Sequence, residues 1–190
     1  MGHTSFNADK TRVVYSLCDY NSGYNIACEL HQASMEVDGT ITNKSRIDVL
    51  NAQDATTTQP AIAYNTIDNT ERLYFVSDRK GGKGGLDIWY ATMDANGNYG
   101  EALNLSEVNS VDNEITPYYH SSTNEFFFSS DGYLGLGGYD VYKANLGQSS
   151  TPIHLGAPIN SSYNDIYYVC LLYTSPSPRD QRGSRMPSSA

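Results

Sequence analysis

The sequence predicts an all-β chain, a partial β-propeller of about three four-stranded antiparallel blades. Three observations predict it. Aromatic and β-branched residues fill short apolar runs, and no window sustains helical periodicity over three turns. Asp38-Gly39 and Asn96-Gly97 stand where hairpins should turn, a type I′ turn being expected because both central residues then need positive φ. One motif also recurs in order: Leu73-Tyr-Phe-Val-Ser-Asp78 aligns with Phe126-Phe-Phe-Ser-Ser-Asp131 at an offset of 53 residues. The same offset carries Gly84-Gly85-Leu86-Asp87-Ile88-Trp89-Tyr90 onto Gly137-Gly138-Tyr139-Asp140-Val141-Tyr142-Lys143.

Each unit therefore reads as a strand, a glycine-rich loop, a strand opened by Asp, a tight turn, and a strand ending near Asn-Leu. A further short strand, Pro60-Ala-Ile-Ala-Tyr64 or Pro117-Tyr-Tyr-His120, joins one copy to the next. Val108-Asn109-Ser110 and Glu114-Ile115 recur as Ile159-Asn160-Ser161 and Asp165-Ile166 at an offset of 51, so the unit is longer than one hairpin. A diverged copy opens the chain, with Val13 to Cys18 in the place of Leu73 to Asp78 and Tyr24-Asn25-Ile26 in the place of Leu86-Asp87-Ile88. Four short strands at a period a little above 50 residues is the arithmetic of a propeller blade. A β-sandwich also has short strands between turns, but its strands need not repeat a motif in order.

Composition narrows the function. The 190 residues carry a net charge of -9, and 39% are hydrophobic, too many for a disordered acidic tail. The deficit of basic residues disfavours nucleic acid and anionic membrane surfaces as partners. No apolar run approaches the roughly 18 residues of a spanning helix.

The copies running from Leu73 to Trp89 and from Phe126 to Tyr142 resemble the TolB-type, WD40-like propeller repeat. More narrowly they are similar to its version in OmpA-family envelope proteins of Bacteroidetes-like bacteria, and Ala157 to Asp165 fits the same pattern. The resemblance implies a periplasmic or outer-membrane-associated, extracytoplasmic protein. It also implies a peptidoglycan-binding domain, which this stretch of sequence does not contain. Known rings need at least four blades, so three units are expected to be a fragment, with blades at 3–58, 59–116 and 117–169. The last residues, Cys170 to Ala190, break from this composition and resemble translated sequencing adapter in one frame, so they are expected to be a non-native disordered tail.

Candidate residues are structural rather than chemical. Asp87 and Asp140 open equivalent strands, where an Asp side chain accepts loop N–H groups, and one copy per blade does not suit a single active site. Asp78, Asp131, Gly85 and Gly138 recur in the same way. Gly81 to Gly85 lacks the Gly-Lys-Ser/Thr ending and the following helix of a phosphate cradle. His3, His31, His120 and His154 show no metal-ligand spacing, and no Gly-x-Ser-x-Gly elbow is present. A carboxylate pair for glycoside chemistry has no sequence spacing that would select it. No catalytic, cofactor or metal residue is assigned, and no cofactor is expected.

Cys18 and Cys28 would face one another across an antiparallel hairpin closed near Gly23, at a distance a disulfide spans. Two buried free thiols are the other reading. A disulfide would imply an oxidising compartment. The expected function is thus a non-catalytic envelope scaffold that binds a protein or glycan, and the alternative is the propeller of a peptidase-gating or glycan-processing hydrolase.

Overall fold

The computed structural model describes residues 3–20, 26–66, 68–94, 96–148 and 151–169; the expectation for Cys170 to Ala190 lies outside the described residues, as do Gly23 and Asn25. Among the described residues twelve strands form three four-stranded antiparallel sheets, with neighbours in each sheet consecutive in sequence. The first holds β1 (Thr4–Phe6), β2 (Arg12–Tyr20), β3 (Ile26–Met35) and β4 (Ile41–Arg46). The second holds β5 (Thr57–Asn65), β6 (Thr70–Ser77), β7 (Asp87–Met93) and β8 (Leu103–Asn104). The third holds β9 (Glu114–His120), β10 (Glu125–Ser130), β11 (Asp140–Asn145) and β12 (Ile153–His154). Among the described strands the first sheet packs on the second and the second on the third, while none of the first meets the third. The blades form an open arc with β1, β5 and β9 side by side along its inner edge.

The middle blade shows why its second strand reads as a continuous apolar run. Side chains alternate between the faces of a strand, and both faces of β6 are covered. Leu73 and Phe75 join Val14, Leu30, Leu50 and Trp89 against the first blade. Tyr74 and Val76 join Ile88, Val108, Phe126 and Phe128 against the third. The ring centroids of Tyr74 and Phe126 lie 5.0 Å apart, and Tyr119, Phe128 and Tyr142 bring further rings into this second core.

The β3–β4 and β7–β8 hairpins turn at the expected dipeptides by a different device. Only Gly39 (φ 84°) and Gly97 (φ 83°) have positive φ, and Asp38 and Asn96 do not. The hydrogen bonds Gly39 N to Glu36 O and Gly97 N to Asp94 O close a turn one residue longer, with glycine at the left-handed position. Asp38 and Asp94 instead turn their carboxylates onto the N–H groups of Thr40 and of Asn96 and Asn98.

One asparagine holds the outer side of each blade. The side-chain amide of Asn109 accepts from Ile88 N at 2.9 Å and donates to Ile88 O at 2.9 Å. Asn160 repeats this on Val141, and Asn51 on Leu30. An amide with one acceptor and one donor edge thus stands in for a strand residue where the short fourth strand ends.

Replacing Asn109 by Leu, which matches its size but neither hydrogen bond, strands the N–H of Ile88 and leaves its carbonyl with Leu105 N as its remaining donor. The expected loss is about 1–3 kcal/mol, read from urea unfolding, whereas Asn96→Ala at the exposed turn should cost under about 0.5 kcal/mol.

Candidate functional site

The recurrent residues gather at one end of the arc, where each blade meets the next. At the second boundary Leu86 N donates to Asn113 Oδ1 at 2.9 Å, and Glu114 N donates to Leu86 O at 2.7 Å. Asn113 then donates its backbone N–H and its side-chain amide to the two carboxylate oxygens of Asp131, at 2.8 and 3.0 Å. At the first boundary Cys28 N donates to Thr56 Oγ1 and Thr56 N donates to Asp78 Oδ1. Asp78 and Asp131 therefore cap the strand entry of their own blade at the point where the previous blade grips it.

Gly85 and Gly138 are required by this grip. A Cβ on Gly85 would lie 2.5 Å from Asn113 Oδ1, and one on Gly138 would lie 2.2 Å from Asn164 Oδ1. Asp87 and Asp140, fully buried, cap the preceding loops: Asp87 accepts from Lys83 N and Gly84 N, and Asp140 from Leu136 N and Gly137 N. In the first blade Leu30, held by Asn51, occupies the place of Ile88. Its predecessor Glu29, not Asn25, is then the counterpart of Asp87, because the first hairpin is longer. The partner across the strands also changes, from Asn104 on Asp87 to His154 near Asp140 and Arg46 on Glu29. Cys18 and Cys28 face each other in register and form a disulfide. Lys83 directs its ammonium at the carbonyls of Ser106 and Asn109, so the glycine-rich loop closes on its own blade.

Sequence reasoning passed over Glu114. Its carboxylate is fully buried and accepts from Ser110 N, Ser110 Oγ and Ser130 Oγ at 2.6–2.7 Å. Burial pushes its pKa above 4.5, against the lowering effect of these three donors. Among the described residues no group of three or more His, Cys, Asp or Glu is placed to hold a metal ion.

Two of the openings on the described surface adjoin the repeated features. The larger, about 740 Å³, lies at the first blade boundary. Part of its polar wall is already engaged: Glu29 with Arg46, Asn51 with Leu30, Asp78 with Thr56. The smaller, about 250 Å³, lies on the inner edge of the arc and is lined by His3, Ser5, Gln59, Thr116, Tyr118 and Tyr167 among others. Its shape comes from a repeated irregularity. Gln59 (φ 50°), Thr116 (φ 54°) and Tyr167 (φ 63°) all take the left-handed conformation at equivalent places on successive inner segments. In β5 and β9 the ladder slips by a residue there, and Pro60 and Pro117 follow. The bulged Gln59 and Thr116 and the Tyr167 phenol all border the opening, while the buried Thr116 hydroxyl is held by Ser129 Oγ at 3.0 Å. Thr116 N donates to Gln59 Oε1 at 2.6 Å, and Tyr167 lies over His3 with ring centroids 5.5 Å apart. Burial lowers the pKa of His3 and raises that of Tyr167, so both are neutral near pH 7.

No family model and no curated protein matches the chain. Solved structures do. One is a puromycin hydrolase S511A mutant complexed with PGG, with a TM-score of 0.51, 13% identity, and 83% of this chain covering 22% of that one. Another is the inulosucrase from Halalkalicoccus jeotgali bound to kestose, with a TM-score of 0.50, 9% identity, and 84% of this chain covering 52% of that one. A thermostable family-43 glycoside hydrolase gives a TM-score of 0.48 at 12% identity, with 82% and 53% covered. The chain has the β-propeller fold. It spans about half or less of the length of these structures.

These neighbours overturn the expectation of a non-catalytic module. They are enzymes, and at 9–13% identity they fix the architecture without assigning an activity. That expectation rested on local motifs. A propeller assembles groups from separate blades around its axis, so no fixed spacing announces them.

Glu114 gives a pH signature. In the window above pH 4.5 the folded state binds more protons at this group than the unfolded state, so its contribution to stability falls as pH rises and grows as pH falls. The difference in unfolding free energy between wild type and Glu114→Gln should shift in favour of wild type from pH 7 to about pH 5. A flat or opposite trend in urea unfolding would contradict the assignment.

Proposed function

We propose that the arc is the propeller portion of a glycan-processing hydrolase and that its inner cleft forms part of the sugar-binding wall. The observation that carries this reading is the set of three aligned bulges at Gln59, Thr116 and Tyr167 around the 250 Å³ opening. Tyrosine rings offer an apolar face with a hydrogen-bonding tip, and amide and hydroxyl groups beside them supply both donors and acceptors. That mixture suits a polyol with apolar C–H faces, and neutral His3 and Tyr167 place no net charge against it. The likeness to an inulosucrase bound to kestose supports the same reading at the level of the fold.

The Cys18–Cys28 disulfide supports an oxidising compartment, and with the resemblance to envelope propellers it favours a periplasmic or outer-membrane-associated site of action. The likeness to puromycin hydrolase favours a second reading, a propeller that admits peptides to a peptidase domain.

The test is titration calorimetry of the chain against a panel of soluble oligosaccharides and, separately, of oligopeptides. The expected result is oligosaccharide binding that Tyr118→Ala weakens by about tenfold or more, with no peptide binding. Peptide binding alone would favour the second reading. Binding of neither, or oligosaccharide binding indifferent to both Tyr118→Ala and Gln59→Ala, would overturn the cleft as the site.

A further inference from the structure

We infer that the opening of about 740 Å³ at the first blade boundary binds a primary ammonium group carried on a short alkyl chain. The inference is independent of what the axial cleft binds. The relay itself is kept at this boundary, Cys28 N meeting Thr56 Oγ1 where Leu86 N and Tyr139 N meet Asn113 Oδ1 and Asn164 Oδ1. What differs is the packing of loop on connector. Counting back from Glu29, the counterpart of Asp87, places Ile26 and Ala27 where the second blade has Gly84 and Gly85 and the third has Gly137 and Gly138. A Cβ on Gly84 would lie 2.2 Å from Asp112 O, and one on Gly137 would lie 1.9 Å from Tyr163 O, so only glycine lets the loop press on the connector to the next blade. The connector is also longer: four residues separate Asn51 from Thr56, whereas three separate Asn109 from Asn113 and Asn160 from Asn164. Asp54, within the longer connector, takes the left-handed conformation (φ 57°). The bond from Gly85 N to Asp112 O at the second boundary accordingly has no counterpart between Ala27 and Ala55 among the described residues.

The space so left holds negative charge beside an apolar wall. Thr56 gives its N–H to Asp78 Oδ1 but, unlike Asn113, has no amide for the second carboxylate oxygen, so among the described residues no donor meets Asp78 Oδ2. The side chains of Gln53 and Asp54 have no partner among the described residues either. Ala27, Ala52 and Ala55 supply the apolar wall. Arg46, the cation among the described lining residues, is already held by Glu29 and Asp48.

A single free carboxylate oxygen suits the point charge of an ammonium rather than the two-pronged fork of a guanidinium. The second blade places an ammonium here from within. Lys83, four residues before Asp87, directs its Nζ at the carbonyls of Ser106 and Asn109, and Asn109 is the counterpart of Asn51 on the rim of the opening. The first copy has Asn25 four residues before Glu29 and no lysine between Cys18 and Cys28. The ligand therefore brings the ammonium that this blade lacks. A lysine side chain of a peptide and a free alkylamine share that chemistry.

The experiment follows the backbone amides of Ala27, Asp54 and Thr56 by NMR while the 190-residue chain is titrated with three probes. These are Nα-acetyl-lysine methylamide, cadaverine and, as the neutral isostere, Nα-acetyl-norleucine methylamide. Saturable shifts are expected at these amides with an amine and none with the norleucine compound. Tighter binding of the lysine compound assigns the site to a peptide side chain, tighter binding of cadaverine assigns it to a free amine, and either supports the inference. Asp78→Asn keeps an oxygen for Thr56 N but withdraws the free acceptor, and Asp54→Asn removes the second charge. Each should weaken amine binding by about threefold or more. Asp112→Asn, the same loss of charge at the neighbouring boundary, should leave it unchanged. Asp54 lies exposed in a turn, so its variant reads the site even where Asp78→Asn loosens the relay. Equal weakening by all three variants would mean that amines follow the net charge of the chain and would overturn the inference. Shifts with the norleucine compound alone, or no saturable shift with either amine, would overturn it as well.

Discussion

The arc depends on how a backbone at the edge of one sheet is satisfied by the next sheet. A buried N–H or C=O without a partner costs as much as a lost hydrogen bond. Blades meet face to face, so edge-to-edge pairing cannot supply those partners. The solution is a relay: the loop N–H of one blade reaches a side-chain oxygen of the next, whose own N–H groups are held by an Asp of that same blade. The relay fixes the distance and angle between sheets, and the apolar faces of Leu73, Phe75, Tyr74 and Val76 then close against their neighbours on either side.

The boundaries vary this theme without losing it. Thr56 serves at the first where Asn113 serves at the second, so one donor to the carboxylate is lost. Arg79 adds a contact there: its guanidinium reaches Leu50 O and Thr57 Oγ1 and lies over Phe75 and Trp89, a cation held between two aromatic faces at the blade interface. In the first blade a disulfide pins the hairpin that glycine-rich loops fold over in the other two.

The strand motif and its 53-residue offset made the fold legible, because a strand buried on both faces and a close-packed glycine loop leave strong local signals. The site was less legible. Asp78, Asp87, Asp131 and Asp140 stood out by recurrence, but the chemistry of Asn113 did not, since Thr56 fills its place in the neighbouring copy. Asn109 and Asn160 stood in the sequence only as part of a recurring tripeptide, and only the geometry shows their amides, and that of Asn51, matching both backbone groups of one residue. The longer first hairpin shifted the alignment, so Asn25 was matched where Glu29 belongs. The axial cleft carried no spacing signal at all, because Gln59, Thr116 and Tyr167 meet only through the curvature of the arc.

Function follows from the same construction. The inner strands bulge at Gln59 and Thr116, and the opening beside them is lined by Gln59, Tyr118 and Tyr167 among others. The relay is tested most directly by native-state amide hydrogen exchange of the whole chain at Thr56, Leu86, Asn113 and Tyr139, which lie outside regular strands. These four amides should exchange as slowly as those of β6 and β10. Exchange at the rate of the exposed turn amides of Asn96 and Asn98 would contradict the account.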